Sequence, residues 1–491
     1  MSASPRVLPL LLSVSILTGC VHAPKYSPPQ IPLSDRFRSQ DAVERRNAQR
    51  QADLQTWWAG FDDPALTRFV SLALAQNLDI AQAAARVAQS RASLRQADAA
   101  LLPSGNVSAH AAKVYQSIET PLGQVLAAVA PDFDRTGSSY EANLGASWEI
   151  DVFGGLRHGR DAARAEYVAS EAGAVATRLA VAAHTADVYV TIRGLQARIA
   201  IVTQQAQTRR QLLTLIKQQY EKGIAAELQV NQAEGSLAQV EAQIPVLEAG
   251  LDSAMNALDV LLAVQPGTFR AELSPAMPIP VAPGLAETGT PSEMIRRRPD
   301  LIVAERRLAA ANARIGVAIS EYYPKFSLGA LLGSATTISS SNLFTSGASQ
   351  GLAFFGLRWR LFDFGRVDAQ IAAARGQEAE ALAAYRLAVL RATEDVENAL
   401  SALVKREAQV GILTQGESSF ARARDHADAA YKGGVVSLIE VLDADGNLLQ
   451  VRDAKAQAQT DAARAAIASF RALGGGWEAH PPSSLGGISH E

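Results

Sequence analysis

The apolar positions of this chain change period several times, and the changes mark out its elements. From Tyr140 to Asp151 they alternate strictly, with Tyr140, Ala142, Leu144, Ala146, Trp148 and Ile150 on one face and Glu141, Asn143, Gly145, Ser147, Glu149 and Asp151 on the other. A period of two predicts a strand with one apolar and one charged face. Val107, Ala109 and Ala111 begin a weaker partner; Phe326, Leu328, Ala330 and Leu332, then Phe355, Leu357, Trp359 and Leu361, repeat the plan. The stretch with Pro121, Pro131 and Asp132 and the Ser-rich stretch Thr336–Ser349 are expected to be loops. Elsewhere the period lengthens. Between Arg157 and Tyr220, Ile192, Leu195, Ile199, Val202 and Ala206, then Leu213, Ile216 and Tyr220, keep three-four spacing, which predicts a helix. About 60 such residues reach roughly 90–100 Å. Residues 225–263 return part of the way, and residues 366–432 and 436–473 repeat the excursion. Helices this long, rich in alanine and reversed at glycine, are expected to pack as coiled coils.

The two reversals match. Tyr220-Glu221-Lys222-Gly223 and Tyr431-Lys432-Gly433-Gly434 stand 211 residues apart, and the same offset pairs Ala233 with Ala444, Leu237 with Leu448, Val240 with Val451 and Trp148 with Trp359. Earlier the offset is 221, pairing Asp79 with Asp300 and Pro103 with Pro324, so the first copy holds about ten more residues between its Pro and its Trp. An internal duplication follows. The first repeat spans 57–263, with strands about 104–152 and long helices about 157–263; the second spans 293–473, with strands about 325–363 and long helices about 366–473. Trp57 to Leu66 opens a helix with Asp63 as N-cap and Pro64 at its first position, running to about Leu102, where Pro103 stops it. Its aromatic cluster is expected to be core. Residues 264–292 carry six prolines and are expected to be a stiff extended linker. The run Arg296-Arg297-Arg298 is expected to be a solvated cluster flanking the next helix, and 474–491 a flexible tail.

Composition narrows the function. Of 491 residues, 46 are basic and 49 acidic, both signs interspersed, so no basic field suits a nucleic acid. Seven histidines lack metal-ligand spacing, no Gly-rich phosphate loop follows a strand, and no nucleophile is paired with a base. The expectation is a protein that is not an enzyme and needs no cofactor. The single cysteine, Cys20, follows an apolar run from Val7 to Ile16 that is preceded by Arg6, and Leu17-Thr18-Gly19 lead into it. This has the form of an export signal over 1–19 and resembles the bacterial lipobox, whose cysteine carries the lipid and becomes the mature N-terminus. Val21 rather than Asp at the next position implies, by that resemblance, the outer membrane. Residues 20–56 would then be a lipidated, extended N-terminal segment.

The strands allow a soluble sandwich or a membrane barrel. The exported, lipid-anchored context favours an outer-membrane barrel, with Trp148 and Trp359 at its interface and Glu141, Glu149, Arg358 and Arg360 turned inward. Four strands cannot close such a barrel and an open edge cannot stand in lipid, so copies must associate.

Nearly the whole chain resembles the outer membrane factors of tripartite efflux systems, the TolC-like family, and within it the lipidated NodT-like branch. The motifs are the lipobox, Trp57–Leu66, Arg298-Pro299-Asp300-Leu301 with Ala304-Glu305, Tyr323-Pro324, Phe364-Gly365, Tyr431–Gly434 with Val441-Leu442-Asp443-Ala444, and Ala472-Leu473-Gly474-Gly475-Gly476-Trp477. The resemblance implies an α+β membrane protein: a homotrimer with a twelve-strand β-barrel, four strands per chain, continued by a periplasmic α-helical barrel. It implies a passive duct in a Gram-negative outer membrane, carrying small molecules from an RND-type inner-membrane transporter and a periplasmic adaptor. Gly223 and Gly434 would form the tips that meet the adaptor, and Tyr431, Glu440 and Asp443 the aperture. Val436 stands where an arginine is expected and Gln229 where an aspartate is, so the closing contacts do not carry over. A type I protein secretion duct and a structural coiled-coil lipoprotein remain as alternatives.

Overall fold

The computed structural model describes residues 26–45, 51–130, 132–285 and 289–477. Cys20, the export signal and most of the C-terminal tail lie outside the described residues. In chain order the elements are α1 (Gln40–Glu44), β1 (Gln51–Ala52), a 3-10 turn at Trp57–Phe61, α2 (Pro64–Gln76), α3 (Leu78–Ala99), β2 (Ser104–Tyr115), α4 (Pro121–Val129), β3 (Thr136–Ile150), α5 (Gly155–Glu221), α6 (Glu227–Glu241) and α7 (Gln243–Leu261). There follow α8 (Arg270–Leu273), β4 (Gly284–Leu285), α9 (Pro291–Arg297), α10 (Pro299–Ser320), β5 (Lys325–Thr336), β6 (Ser349–Arg358), α11 (Arg366–Lys432) and α12 (Leu438–Ala472). Helices α5 and α11 each hold 67 residues and start 211 apart. Strands β2 and β5 each hold 12 and start 221 apart. The residues form two compact units.

The first unit takes in Ser90–Tyr167 and Arg306–Leu382. Its centre is an antiparallel sheet in the order β2-β3-β5-β6. The register sets Val107 opposite Leu144 and Leu144 opposite Leu332, while Trp148, Leu328 and Phe355 form a second row and Ile150, Phe326 and Leu357 a third. All these side chains share one face, as alternation requires. Much of that face is open, including Val107, Leu144, Leu332, Phe355 and Leu357. The other face is mixed: the Gln350 amide donates to Glu141 at 3.2 Å and to Asn143 at 2.8 Å, and Asn143 donates to Glu141, while Leu331, Leu352 and Phe354 lie on the same side. The Trp148 indole N–H donates to the Leu101 carbonyl (2.9 Å) and that of Trp359 to the Tyr322 carbonyl (3.0 Å).

Two expectations need correction here. Strand β6 stops at Arg358, leaving Trp359 and Leu361 in irregular chain. Arg360 is drawn instead to Glu321 (3.4 Å), beside the Lys325–Glu321 pair. The stretch around Pro121 is also more than a loop. Pro121–Val129 is helical because Thr120 caps its N-terminus and Pro121 sits at its first position, where a missing N–H has no cost.

The second unit takes in Gln30–Gln89, Val168–Glu305 and Ala383–Glu491. Its core gathers Trp57, Phe61, Leu66, Phe69, Tyr189, Leu258, Leu262 and Phe470. Trp57 stacks on Phe470 at 5.4 Å between ring centres. Asp63 caps α2 by accepting from the Ala65 and Leu66 N–H groups and also accepts from the Tyr189 hydroxyl (2.9 Å). The helix expected to run on to Leu102 breaks at Asn77, whose side-chain oxygen caps α3 through the Asp79 and Ile80 N–H groups and whose amide donates to the Leu261 carbonyl. The return after Gly223 is likewise split at Ala242, because Pro245 has no N–H for the Glu241 carbonyl and its ring crowds that carbonyl. At the offset of 211 stands Ala456, and α12 runs unbroken.

The Pro-rich linker is not simply extended. Asp259 accepts from the Gly267 and Phe269 N–H groups, α8 buries Leu273, and β4 pairs in parallel with β1. Arg298 is not solvated either: its side chain is 10% exposed, pairs with Asp300 and Asp395, and donates to the carbonyls of Ala392 and Ala472. Only one arginine of that run enters the core, and periodicity did not single it out. Among the described residues no helix is long and apolar enough to cross a membrane.

Candidate functional site

The two helix reversals have one geometry. At the end of α5, Gly223 adopts φ +73°, its N–H donates to the Tyr220 carbonyl (2.8 Å), and the Ile224 N–H donates to Gln219 (2.8 Å). At the end of α11, Gly434 adopts φ +74°, its N–H donates to Tyr431 (2.9 Å), and the Val435 N–H donates to Ala430 (2.9 Å). A left-handed residue turns the chain out of the helix while satisfying the terminal carbonyls, and glycine does so without a Cβ clash. The turns hold one apolar residue each in solvent: Ile224 is 73% exposed and Val435 80%. Val436, its neighbour, is half-buried. Tyr220 and Tyr431 are exposed beside them.

Behind the tips the helices are held by a small core and a polar seam. Leu212 and Ile216 of α5 meet Ala233 of α6 and Leu442 of α12. Along the α5–α12 seam, Arg198 reaches Asp453 (2.8 Å) and Gln457 (2.8 Å), the Thr208 hydroxyl donates to Asp445 (2.7 Å), and Arg209 pairs with Asp443 (3.2 Å). Between α11 and α12, Glu417 accepts from Arg452 (2.9 Å) and Lys455 (2.8 Å). The Lys455 hydrogen bond holds the Glu417 carboxyl below its ordinary pKa, against the opposing effect of burial.

Of the residues expected at the aperture, Glu440 is exposed in the first turn of α12, Tyr431 is exposed at the end of α11, and Asp443 is half exposed and engaged by Arg209. Asp443 is thus not an unpaired carboxylate. Its arginine comes from α5 and not from the turn, where Val436 stands. Sequence reasoning missed Arg209, Thr208 and Asp445, and one signal pointed to them: Gly446, a glycine inside a long Ala-rich helix. A Cβ there would come within 2.9 Å of the Arg209 guanidinium, so the missing side chain is what lets Arg209 lie across α12. Gln229, at the position matching Glu440 by the 211 offset, caps α6 by accepting from the Ala226 N–H (3.0 Å). Trp148 lies in β3, and Trp359 directly follows the end of β6.

The arrangement holds ion pairs, hydroxyls and apolar residues at the helix tips, groups suited to holding helices together. The family model described as outer membrane efflux protein matches residues 69–264 and again 290–475. The pyoverdine export outer membrane protein OpmQ of Pseudomonas putida is 32% identical over 438 residues, covering 87% of this chain and 90% of that protein. The probable outer membrane lipoprotein SilC of Salmonella typhimurium is 30% identical over 482 residues, covering 95% and 98%. The solved structure of the outer-membrane channel OprN is 30% identical with a TM-score of 0.81, covering 93% of this chain and all of that one. Two matches to one family model, together spanning most of the sequence, and a fold shared with a known channel mean that this chain belongs to the outer membrane efflux protein family and acts in transport at the outer membrane.

Proposed function

We propose that three copies of the chain form a passive duct that receives small molecules from an RND-type inner-membrane transporter through a periplasmic adaptor. The carrying observation is the sheet: four strands with one open apolar face, an opposite face on which Glu141, Asn143 and Gln350 form a hydrogen-bonded cluster, and β2 and β6 as edges. In lipid those edges require partners, and pairing β2 of each copy with β6 of the next closes a barrel of twelve strands with Glu141, Asn143 and Gln350 toward water. The long helices then form the periplasmic barrel, and the two halves are copies of one unit, which the equal lengths and offsets of α5 and α11 support. Trp148 and Trp359 mark the membrane interface. Cys20 carries the lipid, a reading supported by the description of the relative SilC as a lipoprotein. The turns at Gly223 and Gly434, with Ile224 and Val435 exposed beside them, are the adaptor's landing point. Tyr431, Glu440 and Asp443 line the aperture in three-fold rings, which favours cations.

A photoreactive residue at Val435 in intact cells tests this. A covalent adduct with a periplasmic adaptor of an efflux system is expected. Capture of a secretion adaptor, or of cell-wall material alone, would replace the reading.

A further inference from the structure

Helix α4 accounts for the residues that break the symmetry between the halves: the β2–β3 connection holds it, whereas the β5–β6 connection has only short 3-10 turns. It is pinned on one side. Thr120 accepts from the Gly123 N–H (3.3 Å), and Gly123 packs so closely that a Cβ would stand 1.8 Å from the Ser117 carbonyl oxygen. Spacings of three and four put Leu122, Val125 and Val129 on the other side, where they are 61%, 60% and 80% exposed. Only Gln124 among its nine residues carries a polar side chain.

A second apolar surface waits at the far edge of the same sheet. In the β5–β6 connection Phe344 is 77% and Ile338 78% exposed. Phe344 is held outward: it adopts φ +75°, unusual for a side chain of that size, and its N–H donates to the Ser334 hydroxyl (3.1 Å), which itself donates to the Ala348 carbonyl (3.2 Å). Both connections leave the sheet at one end, since Tyr115 lies opposite Thr136, Tyr140 opposite Thr336 and Ser334 opposite Ser349.

Within one chain the two surfaces do not meet, because β3 and β5 stand between β2 and β6; three gaps of about 4.8 Å put those edges about 14 Å apart. Between copies the distance is a single gap. The β2 strand that leads into α4 would pair with the neighbour's β6, whose leading connection carries Phe344 and Ile338. We propose that α4 is a clasp between subunits, its Leu122, Val125 and Val129 seated on Phe344 and Ile338 of the adjacent copy. This rests on the trimeric barrel reading and adds to it a contact outside the barrel wall.

The test places benzoylphenylalanine at Val125 in the full-length protein in its native outer membrane, with a second sample carrying the probe at Gln124, and a third at Phe344. Irradiation is expected to give a two-chain product from Val125, mapped to residues 337–348 of the other copy, several-fold more abundant than from Gln124; the Phe344 probe is expected to map back to α4. Native mass spectrometry of the unirradiated protein reports its oligomeric state separately. Trimers whose Val125 adducts fall on lipid, on another protein, or on the same chain would overturn the clasp while leaving the duct standing. A protein without trimers would overturn both.

Discussion

Neighbouring glycines at the α11 tip should respond oppositely to alanine. Gly434 sits at φ +74°, and a Cβ built there meets nothing within 4 Å, so no steric clash with other residues enters the cost of Gly434→Ala. What remains is the backbone: holding an L-residue in the left-handed region costs about 1–2 kcal/mol. Gly433 is not among the residues with positive φ, its N–H donates to the Ala429 carbonyl (3.0 Å), and its Cβ would make ordinary contacts at 3.5 Å. Gly433→Ala should therefore be neutral or stabilising by about 0.4–1 kcal/mol through the unfolded chain. Hydrogen exchange of the detergent-solubilised protein, followed in peptides covering the tip, reads the difference directly. The Gly434→Ala amides should open roughly 5–30-fold more often, as about 1–2 kcal/mol requires, while Gly433→Ala leaves them unchanged or slower. Equal effects at the two positions, or no effect at Gly434, would refute the conformational account of the turn.

Two further outcomes follow from the same unit. Gly446→Ala should displace Arg209 and so silence Asp443: Asp443→Asn alone should loosen the α5–α12 seam by no more than about 1 kcal/mol, the range of an exposed ion pair, and should have no additional effect in the Gly446→Ala background. An Asp443→Asn effect of the same size in both backgrounds, read by hydrogen exchange across the seam, would disprove the coupling. Burial, more than any other cause, pushes the Tyr189 hydroxyl from 10.0 up to about 12, the hydrogen bond to Asp63 adding to it while Arg193 opposes. A raised folded-state pKa gives stability that is complete below the unfolded value and is lost as pH rises from there through the folded one. Thermal unfolding should fall more steeply on alkalinisation in the wild type than in Tyr189→Phe, and parallel curves would argue against it.

Local patterns wrote much of this protein directly into its sequence. Strict alternation over Tyr140–Ile150 needs no knowledge of neighbours to define a two-faced strand, and the Gly223 and Gly434 turns are legible because only glycine takes that backbone conformation cheaply. The cap at Asp63 and Pro64 is equally local. Tertiary structure decided what depends on partners distant in the chain. Arg298 is chemically the same as Arg296 and Arg297, and only the carbonyls of Ala392 and Ala472 and the carboxylate of Asp395 make it a core residue. Asp443 became a paired carboxylate because Arg209, 234 positions away, crosses Gly446 to reach it. Periodicity records which face of an element is apolar; it carries no record of which charge on another helix arrives opposite, because that depends on how the helices pack.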